Sequence, residues 1–275
     1  MSTDDSVLSP DDSVLLLRLA GPLQSWGASS QYNRRDTANA PTKSGVLGLL
    51  AAALGRHRGD DISDLLRLRL GVRTDQPGSL LRDYHTVSDY RGVPLLSAAT
   101  NHAGLQKATS PKKSIHVTTR YYLQDAVFVV AVAGSAQTVE MLRSAVRAPV
   151  FPLALGRRSC VPVGPLVIGT CRGGLLAALA DTPWQAGELA LRRHRGSSIR
   201  LPVTVDDDPS SSAEMPGDSV GRIRDVPVSF DPRRRGFTER AVRHGWVTVA
   251  TGVEDAEPAG PASRPDHDPF ALIDW

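Results

Sequence analysis

Three separated stretches carry side chains that suit a polyanion. In Pro41-Thr42-Lys43-Ser44-Gly45 a lysine, a hydroxyl and a glycine open an apolar segment whose Val46, Leu47, Leu50, Ala51 and Leu54 recur at helical spacing. A helix N-terminus presents unpaired backbone N–H groups, so Lys43, Ser44 and Gly45 would suit a phosphate or a polynucleotide backbone. The spacing is not that of a Walker loop, and an ordinary capped core helix fits these residues equally well. In Gly156-Arg157-Arg158-Ser159 a glycine allows close approach and two arginines offer bidentate forks, within a span from Arg143 to Arg172 that has no acidic residue. The third stretch, Arg82 to Gln124, holds six Lys or Arg (Arg82, Arg91, Lys107, Lys112, Lys113, Arg120) against Asp83 and Asp89. So long an irregular insertion between core elements is usually functional.

The elements that must position these groups follow from periodicity. Val14 to Ala20 reads as a buried strand stopped by Gly21-Pro22, and Thr42 as the cap of a helix that closes at Gly55. A shorter helix then leads into a strand near Leu70 to Thr74, and Arg82 to Val87 fits another strand. Asp125 to Ala133 is a continuous apolar run typical of a central strand. Ser135 caps a helix ending before Pro149, and Pro165 to Thr170 is strand-like. Strand, helix, strand, strand, helix, strand predicts an α+β fold: a ferredoxin-like or RRM-like split βαβ domain over 13–174, with a basic insertion at about 88–120. Beyond Gly174, a short helix at 175–179 and strands at 188–191, 199–205, 222–230 and 245–250 predict a small β-rich C-terminal domain over 175–250.

Charge is segregated. Residues 1–12, 206–219 and 251–275 carry fifteen acidic residues against Arg264 alone, a balance of −14, so the net +3 of the chain leaves +17 on the remainder. That body favours a polyanionic partner, and the acidic segments read as disordered tails (1–12, 251–275) and a disordered loop (206–219). Phe270, Leu272, Ile273 and Trp275 in the last segment could dock on an apolar surface. The 275 residues, 41% of them hydrophobic, suffice for a substantial core. No apolar run of membrane-spanning length and no secretory leader is present, which predicts a cytoplasmic protein without membrane contact. Cys160 and Cys171 lack metal-ligand spacing, and no cofactor is expected.

Five motifs in order resemble the CasD family of subunits from type I-E CRISPR Cascade complexes, in the RAMP superfamily. They are Leu19-Ala20-Gly21-Pro22-Leu23-Gln24-Ser25-Trp26-Gly27, Pro41 to Leu50, Leu81-Arg82-Asp83-Tyr84-His85-Thr86-Val87, Arg120-Tyr121-Tyr122-Leu123 and Leu155-Gly156-Arg157-Arg158-Ser159-Cys160, and the resemblance covers roughly residues 14–172. The resemblance implies a non-catalytic subunit that grips the 5′ handle of CRISPR RNA and caps the backbone filament in antiviral defence. Its partners would be the backbone and large subunits, with target DNA met indirectly through the complex. The basic insertion would be a long β-hairpin thumb folded over the guide.

Carried onto this chain, Lys43, Ser44 and Gly45 would hold handle phosphates. Gly156, Arg157 and Arg158 would form forked contacts, and Arg120 would anchor the thumb base. Arg82, Lys112 and Lys113 would add charge along the RNA. Trp26, Tyr84 and His85 would stack on splayed bases and Gln24 would read a base edge, core packing being the other reading of Trp26. The rival is a metal-independent endoribonuclease acting on CRISPR repeat RNA, for which Lys43, Tyr84, His85, Lys113 and His116 supply acid, base and charge stabilisation. A general nucleic-acid-binding module is a third reading.

Overall fold

The computed structural model describes residues 12–27, 33–89, 114–208, 214–231 and 233–252. Strand β1, Asp12–Ala20, lies inside the main sheet. Leu15, Leu17 and Leu19 enter one core while Val14 and Leu16 enter another, which is why the run is apolar on both phases. After the two-residue strands β2 (Leu23–Gln24) and β3 (Arg34–Arg35), helix α1 runs Lys43–Ala53. Thr42 Oγ1 accepts from the Gly45 N–H at 3.2 Å, and Gly55 takes the left-handed conformation at φ +77, closing the helix as the spacing predicts.

Helix α2 (Ser63–Leu66) leads into β4 (Arg69–Gln76), followed by β5 (Ser79–Asp89) and β6 (Ser114–Gln124). Strand β7 (Val127–Ser135) feeds α3 (Ala136–Arg147), whose N-cap Ser135 accepts from the Thr138 N–H. Then come β8 (Val167–Arg172), α4 (Leu175–Asp181), α5 (Glu188–Arg193), β9 (Ser198–Asp206), β10 (Ser219–Ser229) and β11 (Gly236–Ala250).

The main sheet has the order β10-β11-β9-β4-β7-β1-β8, and its paired strands are antiparallel. Val46, Leu47 and Leu50 of α1 and Val139, Leu142 and Val146 of α3 fill the core on one face; Leu175, Ala178 and Leu179 of α4 fill the other. A smaller sheet, β2-β6-β3 with β5 also on β6, stands beside it. Strands β5 and β6 are the arms of one hairpin, in register from Ser79↔Gln124 to Asp89↔Ser114. Residues 90–113, including Lys112 and Lys113, lie outside the described residues.

Several expectations need correction. The C-terminal strands do not make a separate domain, because β9 pairs with β4 and continues the main sheet. The inward-facing Leu201, Val203 and Val205 are covered by the same core as α4. Residues 188–191 are helical, not a strand: Glu188 pairs with Arg192 one turn on, and the alternation of Leu189 and Leu191 is too short to separate the two periods.

The acidic loop 206–219 is ordered at both ends. Asp206 ends β9 within ion pairs, Asp208 pairs with Arg69 at 2.7 Å, Met215 is buried and Asp218 pairs with Arg243. Residues 209–213, and the predicted tails apart from Asp12, Thr251 and Gly252, lie outside the described residues. Among those described, no helix is long and apolar enough to cross a membrane.

One charge pair is fully enclosed. Arg73 and Asp75 are both 0% exposed and meet through two parallel bonds, Nε to Oδ1 at 2.7 Å and Nη2 to Oδ2 at 2.8 Å. The remaining guanidinium donors reach the carbonyls of Leu179, Thr182 and Pro183, and the Gln185 N–H donates to Asp75 Oδ2 at 2.7 Å. The pair therefore fastens β4 to the segment after α4.

Candidate nucleic-acid interface

The start of α1 is neither open nor positively charged overall. Lys43 and Ser44 are buried, and Lys43 Nζ donates to Asp206 Oδ2 at 2.9 Å. The Lys43 backbone N–H, one of the groups expected to face a phosphate, donates to Asp225 Oδ2 at 2.7 Å. Arg240 bridges the two carboxylates, with Nε to Asp225 Oδ1 at 2.7 Å and Nη1 to Asp206. Burial disfavours its charge, but the hydrogen bonds and fields of Asp225 and Asp206 outweigh that and raise its pKa. Carboxylates from β9 and β10 thus occupy the position assigned to RNA phosphates, so the expected role of Lys43 and Ser44 is corrected to a structural one.

Gln24 and Trp26 are buried, with half-buried Gly45 packed against Trp26 and exposed Gly156 against the neighbouring Ser25 backbone. Gln24 is fully buried, its Nε2 donating to the carbonyls of Leu19 (3.1 Å) and Ala126 (2.7 Å), while its Oε1 accepts from Trp26 Nε1 at 3.1 Å. With every polar atom engaged it has nothing left for a base edge. Trp26 is 0% exposed, so core packing is its role and stacking on RNA is not. Gly45 is the partner of that ring: a Cβ there would stand 2.6 Å from Trp26 Cε3.

Gly156 sits at φ +88 with the position of a Cβ only 1.8 Å from the Ser25 carbonyl oxygen, so its smallness serves the Ser25 backbone and not a ligand. Gly156→Ala is expected to lower stability by about 2–3 kcal/mol, because the turn bearing Arg157 and Arg158 must move, and any nucleic-acid affinity that rests on that turn would fall with it. A urea titration beside an RNA-binding curve would check both effects.

The sequence-predicted residues that do face solvent gather on the hairpin. Arg82 and Tyr84, the latter 64% exposed, share one face of β5 with exposed Leu80. His85 points to the opposite face and is half-buried. Arg120, across from Asp83, is half-buried with Nε donating to Thr118 Oγ1 at 3.3 Å. Arg157 is a clamp: Nη1 donates to the Tyr121 carbonyl at 3.1 Å, Nη2 to that of Arg35 at 2.7 Å, and the guanidinium lies 4.8 Å from the Tyr122 ring centroid. Its neighbour Arg158 is exposed.

Two functional candidates escape the sequence reading. Arg34 and Arg35 pair in parallel with Thr119 and Arg120 of β6. Arg34 lies 5.1 Å from the Tyr121 ring centroid and donates to Asp36 at 2.9 Å, a bond that raises its pKa and keeps it charged. The available signal was two adjacent arginines in a polar loop, whose return to β6 is a long-range contact. Arg34, Arg82, Tyr84 and Tyr121 share one face of the small sheet, a basic and aromatic surface that suits a single strand, while Arg35 and Arg120 lie on its other face and Arg158 on an exposed turn. Burial raises the Cys160 pKa, keeping that thiol protonated beneath the turn. Among the described residues no group of His, Cys, Asp and Glu is arranged to hold a metal ion.

Residues 14–243 match the family described as CRISPR-associated protein (Cas_Cas5). The chain belongs to this Cas5 family. One Cas5 relative, the CRISPR system Cascade subunit CasD of Escherichia coli (strain K12), is 39% identical over 179 residues, covering 58% of this chain and 72% of that protein. A chain of a CRISPR RNA-guided surveillance complex aligns with TM-score 0.64 at 33% identity, covering 86% of this chain and 91% of its own. A crystal structure of a Cas protein gives 0.60 at 35%, covering 89% and 100%. These Cas5 neighbours share the mixed fold described above, mostly antiparallel sheet with few helices. The family match also extends past the last sequence motif into β11.

Proposed function

We propose that this Cas5 chain is a non-catalytic, cytoplasmic CRISPR RNA-binding subunit of a type I-E Cascade complex. It grips the 5′ handle of the guide, caps the backbone filament beside the large subunit, and meets target DNA only through the complex. The observation that carries the reading is the face of β5 and β6 that bears exposed Arg82 and Tyr84 together with Tyr121, with the Arg34 guanidinium 5.1 Å from the Tyr121 ring on the same side. The order β4-β7-β1-β8, with α1 and α3 on one face, supports a ferredoxin-like split βαβ core. The antiparallel arms β5 and β6 support a thumb whose tip is the insertion. Tyr84 and His85 lie on opposite faces of β5 and Lys43 is held by Asp206, an arrangement that supports binding over acid–base cleavage.

The test is to incubate the full chain, without metal, with labelled handle RNA and a scrambled strand. Handle-selective retention of uncut RNA is expected. Replacing Arg34, Arg35 and Arg158 together by alanine is expected to weaken it at least about tenfold, and to flatten the salt dependence by about two to three in log–log slope. Site-specific scission abolished by His85→Ala would overturn the reading in favour of a nuclease, and unchanged binding by the triple variant would remove these three arginines from the interface.

A further inference from the structure

A second open face lies on the C-terminal strands. The register sets Trp246 opposite Pro202, Thr248 opposite Arg200 and His244 opposite Thr204, so these six side chains share one side of β9 and β11. The alternate residues Val247, Val249, Leu201 and Val203 are buried in the core on the other side. Trp246 is 40% exposed, and Arg200, Pro202 and Thr248 are exposed around it.

The backbone N–H of Trp246 donates to the Pro216 carbonyl at 3.1 Å, and the indole packs against Gly217, at φ +70, so closely that a Cβ there would lie 3.2 Å from Trp246 Cδ1. The Arg200 guanidinium lies 5.1 Å from the indole centroid, and Thr204 Oγ1 and His244 Nδ1 are 2.9 Å apart.

We propose that this face binds single-stranded nucleic acid, with a base stacked on Trp246 and Arg200 turned to the flanking phosphate. None of the six positions carries a carboxylate and Arg200 supplies a cation among them, so the charge of these positions suits a polyanion. Beside the indole, Thr204, Thr248 and His244 offer hydrogen bonds to phosphate, sugar and base edges. Stacking on a ring fixed by its own strand tolerates any base. The face would therefore add affinity without choosing sequence. The inference rests on the RNA-binding reading and extends it to a surface separate from the hairpin.

The experiment measures binding of fluorescein-labelled single-stranded RNA and single-stranded DNA of equal length to the full chain, to Trp246→Ala, Trp246→Phe and Arg200→Ala, and to the Arg34, Arg35 and Arg158 triple variant. Ultraviolet cross-linking then maps the attached peptide. Trp246→Ala is expected to weaken binding about tenfold, Trp246→Phe to retain most of it, and Arg200→Ala to lower the salt slope by about one. A cross-link on the peptide containing Trp246 is expected, and the stronger of the RNA and DNA arms identifies the strand.

Wild-type affinity in Trp246→Ala would overturn the proposal. If the triple variant loses binding while Trp246→Ala does not, this face alone is refuted and the hairpin reading stands. A Trp246→Ala chain that binds nucleic acid normally but no longer joins its partner subunits would reassign the face to protein contact. Absence of binding by the wild type would overturn both readings.

Discussion

Asp75→Ala is expected to lower the stability of the chain by about 3–5 kcal/mol, because it leaves the Arg73 guanidinium charged, enclosed and without its carboxylate. Neither partner reaches solvent, and the carbonyls of Leu179, Thr182 and Pro183 satisfy donors without neutralising the charge. The loss also frees the Gln185 N–H and loosens the segment after α4. Urea denaturation followed by circular dichroism measures the effect. Replacing the pair together, Arg73→Met with Asp75→Leu, is expected to recover only part of the loss, since it removes the buried charge but leaves the carbonyls of Leu179, Thr182 and Pro183 and the Gln185 N–H without these partners. A loss below about 1 kcal/mol for the single variant would mean that water reaches the site and that the pair behaves as a surface bridge.

Asp206→Ala is expected to be nearly as damaging, about 3–4 kcal/mol, for a related reason. Its carboxylate accepts from Lys43 Nζ, from the Leu70 N–H at 2.8 Å and from Arg240, so one deletion strands Lys43 and a backbone donor and leaves Arg240 with Asp225 alone. Lys43→Ala separates structure from recognition. If Lys43 serves only to join α1 to β9, the variant loses stability while the RNA affinity of the folded fraction stays within about twofold of wild type. An affinity loss of tenfold or more with unchanged stability would return Lys43 to the RNA.

Much of the fold was legible because its strongest signals are local. Thr42 and Ser135 cap their helices, Gly55 closes α1, and the apolar runs of β1 and β7 become central strands, all as periodicity and capping chemistry require. The site was less legible because its outcome depends on long-range partners. Lys43 has the same character in sequence whether it meets a phosphate or an aspartate 163 residues away. Trp26 and Gln24 look available until β6, β7 and α1 close around them. Arg157 and Arg158 are adjacent and chemically identical, yet the turn at Gly156 makes one a clamp on β3 and β6 and leaves the other in solvent. Tyr84 and Arg82 were the readable part, since alternation along a hairpin arm fixes which side chains face out.

The closure of α1 has a consequence for synthesis. The elements that surround this helix, from β1 to β8, leave the ribosome before Asp206 and Asp225, and the carboxylate on the Lys43 N–H arrives 182 residues after it. Without β9 and β10 the N–H groups of α1 and Lys43 would lack these carboxylates, an anion-accepting end that the finished molecule does not have. The last strands thus do more than widen the sheet: they set the electrostatic character of the first helix.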